Sequence, residues 1–313
     1  MTPVLIDTDP GIDDAVAIMF ALRSGLDLRA VTAVSGNLTA DRTSANARKI
    51  LALAGRADIP VAQGPLAPLV RPYPRDPFSH GDDGLANTDL PAPTAPLDPR
   101  FAPDVIVDLA REHPGELTVI ALAPLTNVAL ALMREPELPR LVRRLVIIGG
   151  SFGIGPWGGR RATGDNPVSE WNVYVDPEAA RAVFHAGFRL TAIGLDVATR
   201  PELDLGAAHL AALAASSTPE AAFLLDVRAF VRDRGFGDYC GLIDSLAVAA
   251  VLEPDLFDLV DLRVDVETRS ELALGQTIVD AREHFAWDHL PTIEVAADAD
   301  FPRFLDRLVG TLS

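Results

Sequence analysis

The stretch VLIDTDPGIDDAVAI, residues 4–18, opens with the apolar run Val4-Leu5-Ile6 and then places Asp7, Asp9, Asp13 and Asp14 within eight positions. Pro10-Gly11 turns the chain between the two pairs, and Ile12 to Ser24 carries a helical pattern that Gly25 stops. A buried strand followed at once by a helix is the opening of a βαβ unit. If Val4 to Asp7 is a parallel strand, Asp7 and Asp9 lie at its carboxyl end, where open α/β sheets place their ligands. Asp13 and Asp14 then fall in the first helical turn, whose N-terminus offsets part of their charge, by about 0.3–1 kcal/mol each. One such pair reads equally well as helix-start preference with an Asx turn. Four converging carboxylates are different, because like charges at short range raise one another's pKa unless a cation neutralises them. A hard divalent ion answers that need. Ca2+ takes about six to eight oxygens, so other strand ends must contribute ligands.

Outward from this unit, Val- and Ile-rich runs alternate with amphipathic stretches. The expected strands are Val4 to Asp7, Leu28 to Val34, Ile59 to Ala62, Leu117 to Ala121, Leu145 to Ile148 and Leu190 to Ile193. Helical patterns lie between them at Ala40 to Ala54, Ala102 to His113, Pro124 to Arg134 and Asp176 to His185. This rhythm predicts an α/β fold, an open, mostly parallel sheet with helices on both faces, in a single domain over 1–313. The last third adds helices at Pro219 to Arg234, Leu242 to Leu252 and Phe301 to Leu312, with strands at Leu262 to Val266 and Thr292 to Val295. Residues 63–100, rich in proline, and 149–168, rich in glycine, show no period and read as long loops, which are uncommon unless functional. The glycine run GGSFGIGPWGG opens no helix with phosphate-binding spacing and reads as a mobile loop.

Composition narrows the partners. With 44 acidic against 27 basic side chains the net charge is -17, which disfavours nucleic acid and anionic membranes. The single cysteine, Cys240, excludes an intrachain disulfide framework and a multi-thiolate zinc site, and reads as a small packed residue. The longest apolar stretches, Leu117 to Met133 and Leu242 to Leu252, are interrupted and fall short of the roughly 20 residues of a membrane span. The N-terminus runs straight into a strand with no signal-like segment, so a cytoplasmic location is expected.

Further motifs recur in order along the chain: VSGN (34–37), SHGDDGL (79–85), APLTNVALA (123–131), SEWNVYVDPEAA (169–180) and IDSLAV (243–248). With DTDPGIDDAVAI they resemble the inosine-uridine-preferring nucleoside hydrolases. The resemblance implies Ca2+-dependent hydrolysis of the N-glycosidic bond of a small-molecule ribonucleoside, by a homodimer or homotetramer. It implies Asp9, Asp14, the Leu122 carbonyl and Asp244 as metal ligands, with Asp9 also the general base. Asp13 and Asn37 would act at the ribose as catalytic and binding residues, Glu170 and Asn172 would bind its hydroxyls, and His80 would sit near the base or the 5′ side.

Three positions depart from that pattern. Ile243 stands where many members carry a histidine, the usual candidate for protonating a leaving purine. Gly164 stands where an asparagine often holds the 5′-hydroxyl, and Asn166 is the candidate substitute. Trp171 replaces a common phenylalanine and reads either as core or as a stacking partner for a base. Taken singly, His80 reads as a solvated loop side chain, Asn37 as a strand terminator, Asp244 as a helix cap, and Asp298 and Asp300 as a solvated approach to the last helix. Two rival functions stand beside the hydrolase: a noncatalytic Ca2+-dependent ribonucleoside binder, and a haloacid-dehalogenase-type phosphatase, since that family also opens with a strand ending in Asp-x-Asp. The phosphatase needs a lysine at a strand end, and the only lysine, Lys49, lies inside a helical pattern.

Overall fold

Strand β1 (Pro3–Thr8) is buried along its whole length, as a parallel strand covered on both faces must be. Its side chains alternate between two cores. Val4 and Ile6 pack into one hydrophobic cluster and Leu5 into the other, one on each face of the sheet. The computed structural model describes residues 2–74, 79–154 and 161–313.

The remaining strands are β2 (Asp27–Ala33), β3 (Val61–Gln63), β4 (Asp98–Phe101), β5 (Leu117–Ala121), β6 (Val142–Ile148), β7 (Leu190–Ile193), β8 (Phe257–Val266), β9 (Thr277–Val279) and β10 (Thr292–Ala299). They line up in the order β4-β3-β2-β1-β5-β6-β7-β10-β8-β9. From β4 through β10 the pairs are parallel, and among the described strands only the β10-β8 and β8-β9 pairs are antiparallel. The order reverses at β1: β2 lies on one side and β5 on the other, which makes the β1/β5 boundary the topological switch point.

Twelve helices are described: α1 (Ile12–Arg23), α2 (Ala40–Leu53), α3 (Ala102–Glu112), α4 (Thr126–Arg134), α5 (Leu138–Leu141), α6 (Trp171–Val175), α7 (Pro177–Phe184), α8 (Leu195–Ala198), α9 (Ala207–Ala215), α10 (Pro219–Asp233), α11 (Ser245–Leu252) and α12 (Phe301–Leu312). Side chains of α1, α2, α10, α11 and α12 form one core, and those of α3, α4 and α7 the other. The expected α/β sheet with helices on both faces is the observed architecture. None of the described helices is long and apolar enough to cross a membrane.

Several boundaries differ from the sequence reading. The stretch 63–100 is not all loop, because its end forms edge strand β4 by backbone pairing to β3. Helix α9 and strand β9 were not expected. The pattern from Leu242 becomes helical only at Ser245, so Asp244 sits at the helix start. Asp300 is more than a solvated approach: its side chain caps α12 by accepting from the Arg303 amide. The Gly-rich run read as a mobile loop falls partly on residues 155–160, which lie outside the described residues.

Candidate active site

The aspartates cluster where β1 ends because the turn Asp9-Pro10-Gly11 folds α1 back over the strand. Asp14 closes that turn, with the Gly11 N–H donating to Oδ2 at 2.9 Å and the Asp9 N–H donating to Oδ1 at 3.3 Å. The Thr8 hydroxyl also donates to Asp14 Oδ1, and the Asn37 amide donates to Oδ2 at 3.2 Å. Asp9 accepts the Asn37 N–H on Oδ2 at 2.6 Å. Its other oxygen, Oδ1, is buried with no donor among the described residues. A buried carboxylate oxygen lacking a partner is costly unless a cation or a protonated group faces it.

Carboxylate oxygens of Asp13, Asp14 and Asp244 lie within 4.8 Å of one another, all three residues buried. Asp244 reaches them from the turn before α11, across most of the chain length. Burial above all, and then Asp13, Asp14 and Asp9, hold Asp244 well above the usual carboxylate range. Asp9 is raised likewise by burial and by the Asp14 charge. Asp14 is pushed up to about 6, by burial and then by Asp13. All-oxygen donors of this charge density suit a hard divalent cation. The grouping differs from the expected ligand set in two respects: Asp13, read as a ribose ligand, stands with Asp14 and Asp244, and Asp9 is not among the three.

Asp7 lies deeper, beneath the crevice. Its Oδ1 accepts from Thr32 Oγ1 at 2.6 Å and from Asn127 Nδ2 at 2.8 Å, and burial pushes its carboxyl up to about 7 against those bonds. Asn127 also donates to the Ala33 carbonyl at 3.2 Å, so it ties β1, β2 and α4 together under the site. Asn127 stands inside the APLTNVALA motif, but nothing in that motif directs its amide to Asp7.

Above this floor opens a cavity of about 660 Å³. Of the expected site residues, Asp13, Asn37, His80, Leu122, Glu170, Trp171, Asn172 and Asp244 line it, while Asp9 and Asp14 lie buried against its floor. Glu170 takes three backbone amides, from Asn172, Val173 and Gly150, at 2.8–3.0 Å, and so fixes the start of α6. Asn172 donates to the carbonyls of Leu122 at 2.9 Å and Ile148 at 3.1 Å, joining the ends of β5 and β6. His80 Nδ1 accepts the Ile12 N–H at 3.2 Å, which places a neutral ring's proton on Nε2. Trp171 stacks on Tyr174, with ring centroids 5.9 Å apart, in the cavity wall.

Asn166 is not brought to the cavity. Its amide donates to the Leu274 carbonyl at 2.8 Å and its oxygen accepts from Val168 N–H at 3.1 Å, so the expected substitution for Gly164 is not what the geometry provides. Gly164 itself is held by close approach: an added Cβ would lie 2.4 Å from Ser169 Oγ. Cys240, read as a packed residue, is half-buried in the cavity wall beside Tyr239, and burial pushes its thiol up to about 11. Ile243 lines the same wall.

The raised carboxylates carry a stability signature. A group whose folded pKa lies above its unfolded value stabilises the fold at low pH and loses that contribution as pH rises through the folded pKa. Asp14 at about 6 and Asp7 at about 7 place the loss between about pH 4 and 7. Thermal unfolding in a chelator is therefore expected to shift downward as pH rises across that window, and saturating divalent metal should cancel the shift. A metal-free unfolding temperature that climbs with pH there would contradict the buried-acid assignment.

An open α/β sheet with a crevice at its switch point, floored by carboxylates that could hold a metal ion, defines a protein that takes a small polar ligand. Comparison with known proteins makes this specific. The family model for inosine-uridine preferring nucleoside hydrolase matches residues 4–306, and the chain belongs to that family. The pyrimidine-specific ribonucleoside hydrolase RihA of Citrobacter koseri is 37% identical over 318 residues, covering 99% of this chain and 98% of the relative. Among solved structures, the plant nucleoside hydrolase PpNRh1 superposes with a TM-score of 0.87 at 32% identity, over 99% of this chain and 98% of that one. A purine-preferring ribonucleoside hydrolase from Gardnerella vaginalis gives the same TM-score at 28% identity and the same coverage. The protein is thus a nucleoside hydrolase, an enzyme that splits the N-glycosidic bond of ribonucleosides. The phosphatase and noncatalytic-binder readings give way to this one.

Proposed function

We propose that this nucleoside hydrolase is calcium-dependent, acts on pyrimidine ribonucleosides, and uses Asp9 as its general base. The observation that carries the reading is the cluster of carboxylate oxygens from Asp13, Asp14 and Asp244, together with the buried, donor-free Oδ1 of Asp9. Asp9, Asp14, Asp244 and the Leu122 carbonyl would hold the ion, with Asp13 within reach of the same point. Calcium, when bound, supplies charge that acidifies a water and grips the vicinal ribose hydroxyls.

The chain's own residues do the rest. Asp9 Oδ1 takes the proton of the attacking water as C1′ loses its base. Asn37 steers Asp9 by donating its backbone N–H to the opposite oxygen. Asp13, Asn37, Glu170 and Asn172 bind the sugar hydroxyls, and the surrounding carboxylates stabilise the oxocarbenium-like charge that develops on the ribose. A sugar lacking one of those hydroxyls would leave buried polar groups unpaired, so ribose is selected over deoxyribose.

Pyrimidine preference is supported by the pyrimidine-specific relative and by Ile243, which leaves no histidine next to Asp244 to protonate a departing purine. The wall that would face the base is lined by Val231, Phe236, Tyr239 and Ile243. A homodimeric or homotetrameric assembly and a cytoplasmic location belong to the same reading.

The test is reducing-sugar release from purine and pyrimidine ribosides and their deoxy analogues, before and after chelation. Release from pyrimidine ribosides that disappears on chelation and returns with calcium is the expected result. Equal turnover in the chelator removes the metal from the reading, and faster release from purine ribosides removes the base preference.

A further inference from the structure

A second cavity, of about 540 Å³, opens at the opposite end of the central strands, where they begin. Its wall brings together Arg143 and Arg144 at the start of β6 and Arg189 just before β7. Guanidinium groups elsewhere in this acidic chain are mostly paired with carboxylates, often at 2.6–3.2 Å, as in Arg23 with Glu220 or Arg232 with Asp238. None of these three makes an ion pair among the described residues.

The surrounding groups are few. Arg144 is half-buried and fixed: its Nε and Nη2 donate to Thr191 Oγ1 at 3.2 and 3.1 Å, and its Nη1 donates to the Ala250 carbonyl at 3.2 Å near the end of α11. Among the described residues the Arg143 guanidinium reaches only the Thr2 hydroxyl, at 3.4 Å, and the Arg189 guanidinium makes no hydrogen bond. Two carboxylates line the cavity, Glu294 and Asp27. Glu294 already accepts the Thr191 hydroxyl at 2.7 Å, and Asp27 faces Arg29 at 3.6 Å. Three cations with most of their N–H groups unused thus converge on one concavity, with one arginine oriented by buried Thr191. Burial and the two neighbouring guanidiniums work against the charge on Arg144, and Glu294 favours it.

We propose that this cavity is a binding site for a small tetrahedral oxyanion, the phosphoryl group of free phosphate or of a phosphorylated small molecule. Arginine is suited to that ligand because its planar fork presents paired N–H donors to phosphate oxygens. Arg144 supplies the fixed donor, and Arg143 and Arg189 close over the anion from the rim. The site lies at the opposite end of the strands from the crevice floored by Asp9 and Asp14, so it is separate from ribose binding.

The test is calorimetric titration of the whole, calcium-loaded protein with inorganic phosphate, ribose 5-phosphate and ribose, against chloride at matched ionic strength. Saturable binding of phosphate or ribose 5-phosphate with Kd near 1 mM or tighter is expected. Affinity should fall at least about tenfold in Arg143→Gln/Arg189→Gln, which should still hydrolyse ribonucleosides at the wild-type rate. Equal affinity for the two phosphates identifies the free ion as the ligand, and tighter binding of the sugar phosphate identifies a phosphorylated metabolite class. No saturable binding to the wild type overturns the proposal, and so does undiminished binding in the double variant. The single Arg189→Gln variant, which loses no hydrogen bond, gives the same readout should the double variant fold poorly.

Discussion

Replacing Asp9 by asparagine is expected to lower kcat for ribonucleoside hydrolysis by at least about 10³-fold while leaving the metal-free fold as stable as before, or more so. General-base assistance contributes roughly 10²–10⁴-fold, and loss of an anionic ligand weakens the hold on a divalent ion as well. Stability moves the other way. Asparagine has the same shape, its oxygen can still accept the Asn37 N–H, and its NH2 stands where Oδ1 has no donor. The side chain on which the Asp14 charge acts no longer ionises, so that repulsion is removed. Steady-state kinetics paired with thermal unfolding in a chelator separate the two effects. Near-normal turnover would take Asp9 out of the chemistry, and a large drop in unfolding temperature would make it a scaffold residue instead.

The second large effect is expected from Gly36→Ala, a substitution at a residue that is itself no ligand. Gly36 does not adopt a left-handed conformation, so backbone strain is not the issue. Space is. A Cβ there would lie 1.9 Å from Asp9 Oδ2 and 2.7 Å from Pro124 Cδ. The proline ring is tied to the backbone, so the carboxylate yields. The oxygen displaced is the one that accepts the Asn37 N–H at 2.6 Å, and a displacement of about 1 Å can cost roughly 10²-fold in rate. We expect kcat to drop by about that factor with the helical circular dichroism unchanged. Gly310→Ala in α12 is the control, because nothing lies within 4 Å of its added carbon and turnover should hold. A Gly36→Ala enzyme with wild-type kcat would show that Asp9 has room to move without consequence.

Much of the sheet could be read from the chain because its central strands are buried on both faces and announce themselves as short Val- and Ile-rich runs. Strand β4, with the sequence DPRF, carries no such run, and its place at the sheet edge comes from backbone pairing alone. Helix α9 hid for a related reason: in AAHLAALAA only Leu213 is buried, so no apolar stripe forms. The aspartates were legible because four of them are crowded into one turn. Their companions were not. Gly36 and Asn127 act through approach distances and hydrogen bonds between segments far apart in sequence, so the motifs that contain them do not reveal what they touch, and Thr8 acts on Asp14 through the fold of the turn itself. Asn166 shows the converse error, in which proximity in sequence to Gly164 suggested a shared task that the fold assigns to neither.

The position of Asp244 has a consequence for how this protein comes into being. A chain emerging from its N-terminus exposes Asp9, Asp13 and Asp14 first, with only part of a coordination sphere. The carboxylate from the turn before α11 arrives after β1, β5, β6 and β7 have been made, and it meets the others only once the sheet has closed around the switch point. A fragment ending before residue 244 would keep the repulsion without the full set of oxygens. Tight metal capture would then mark a finished molecule, and the same acids that make the nascent chain reluctant to close would lock it once it had.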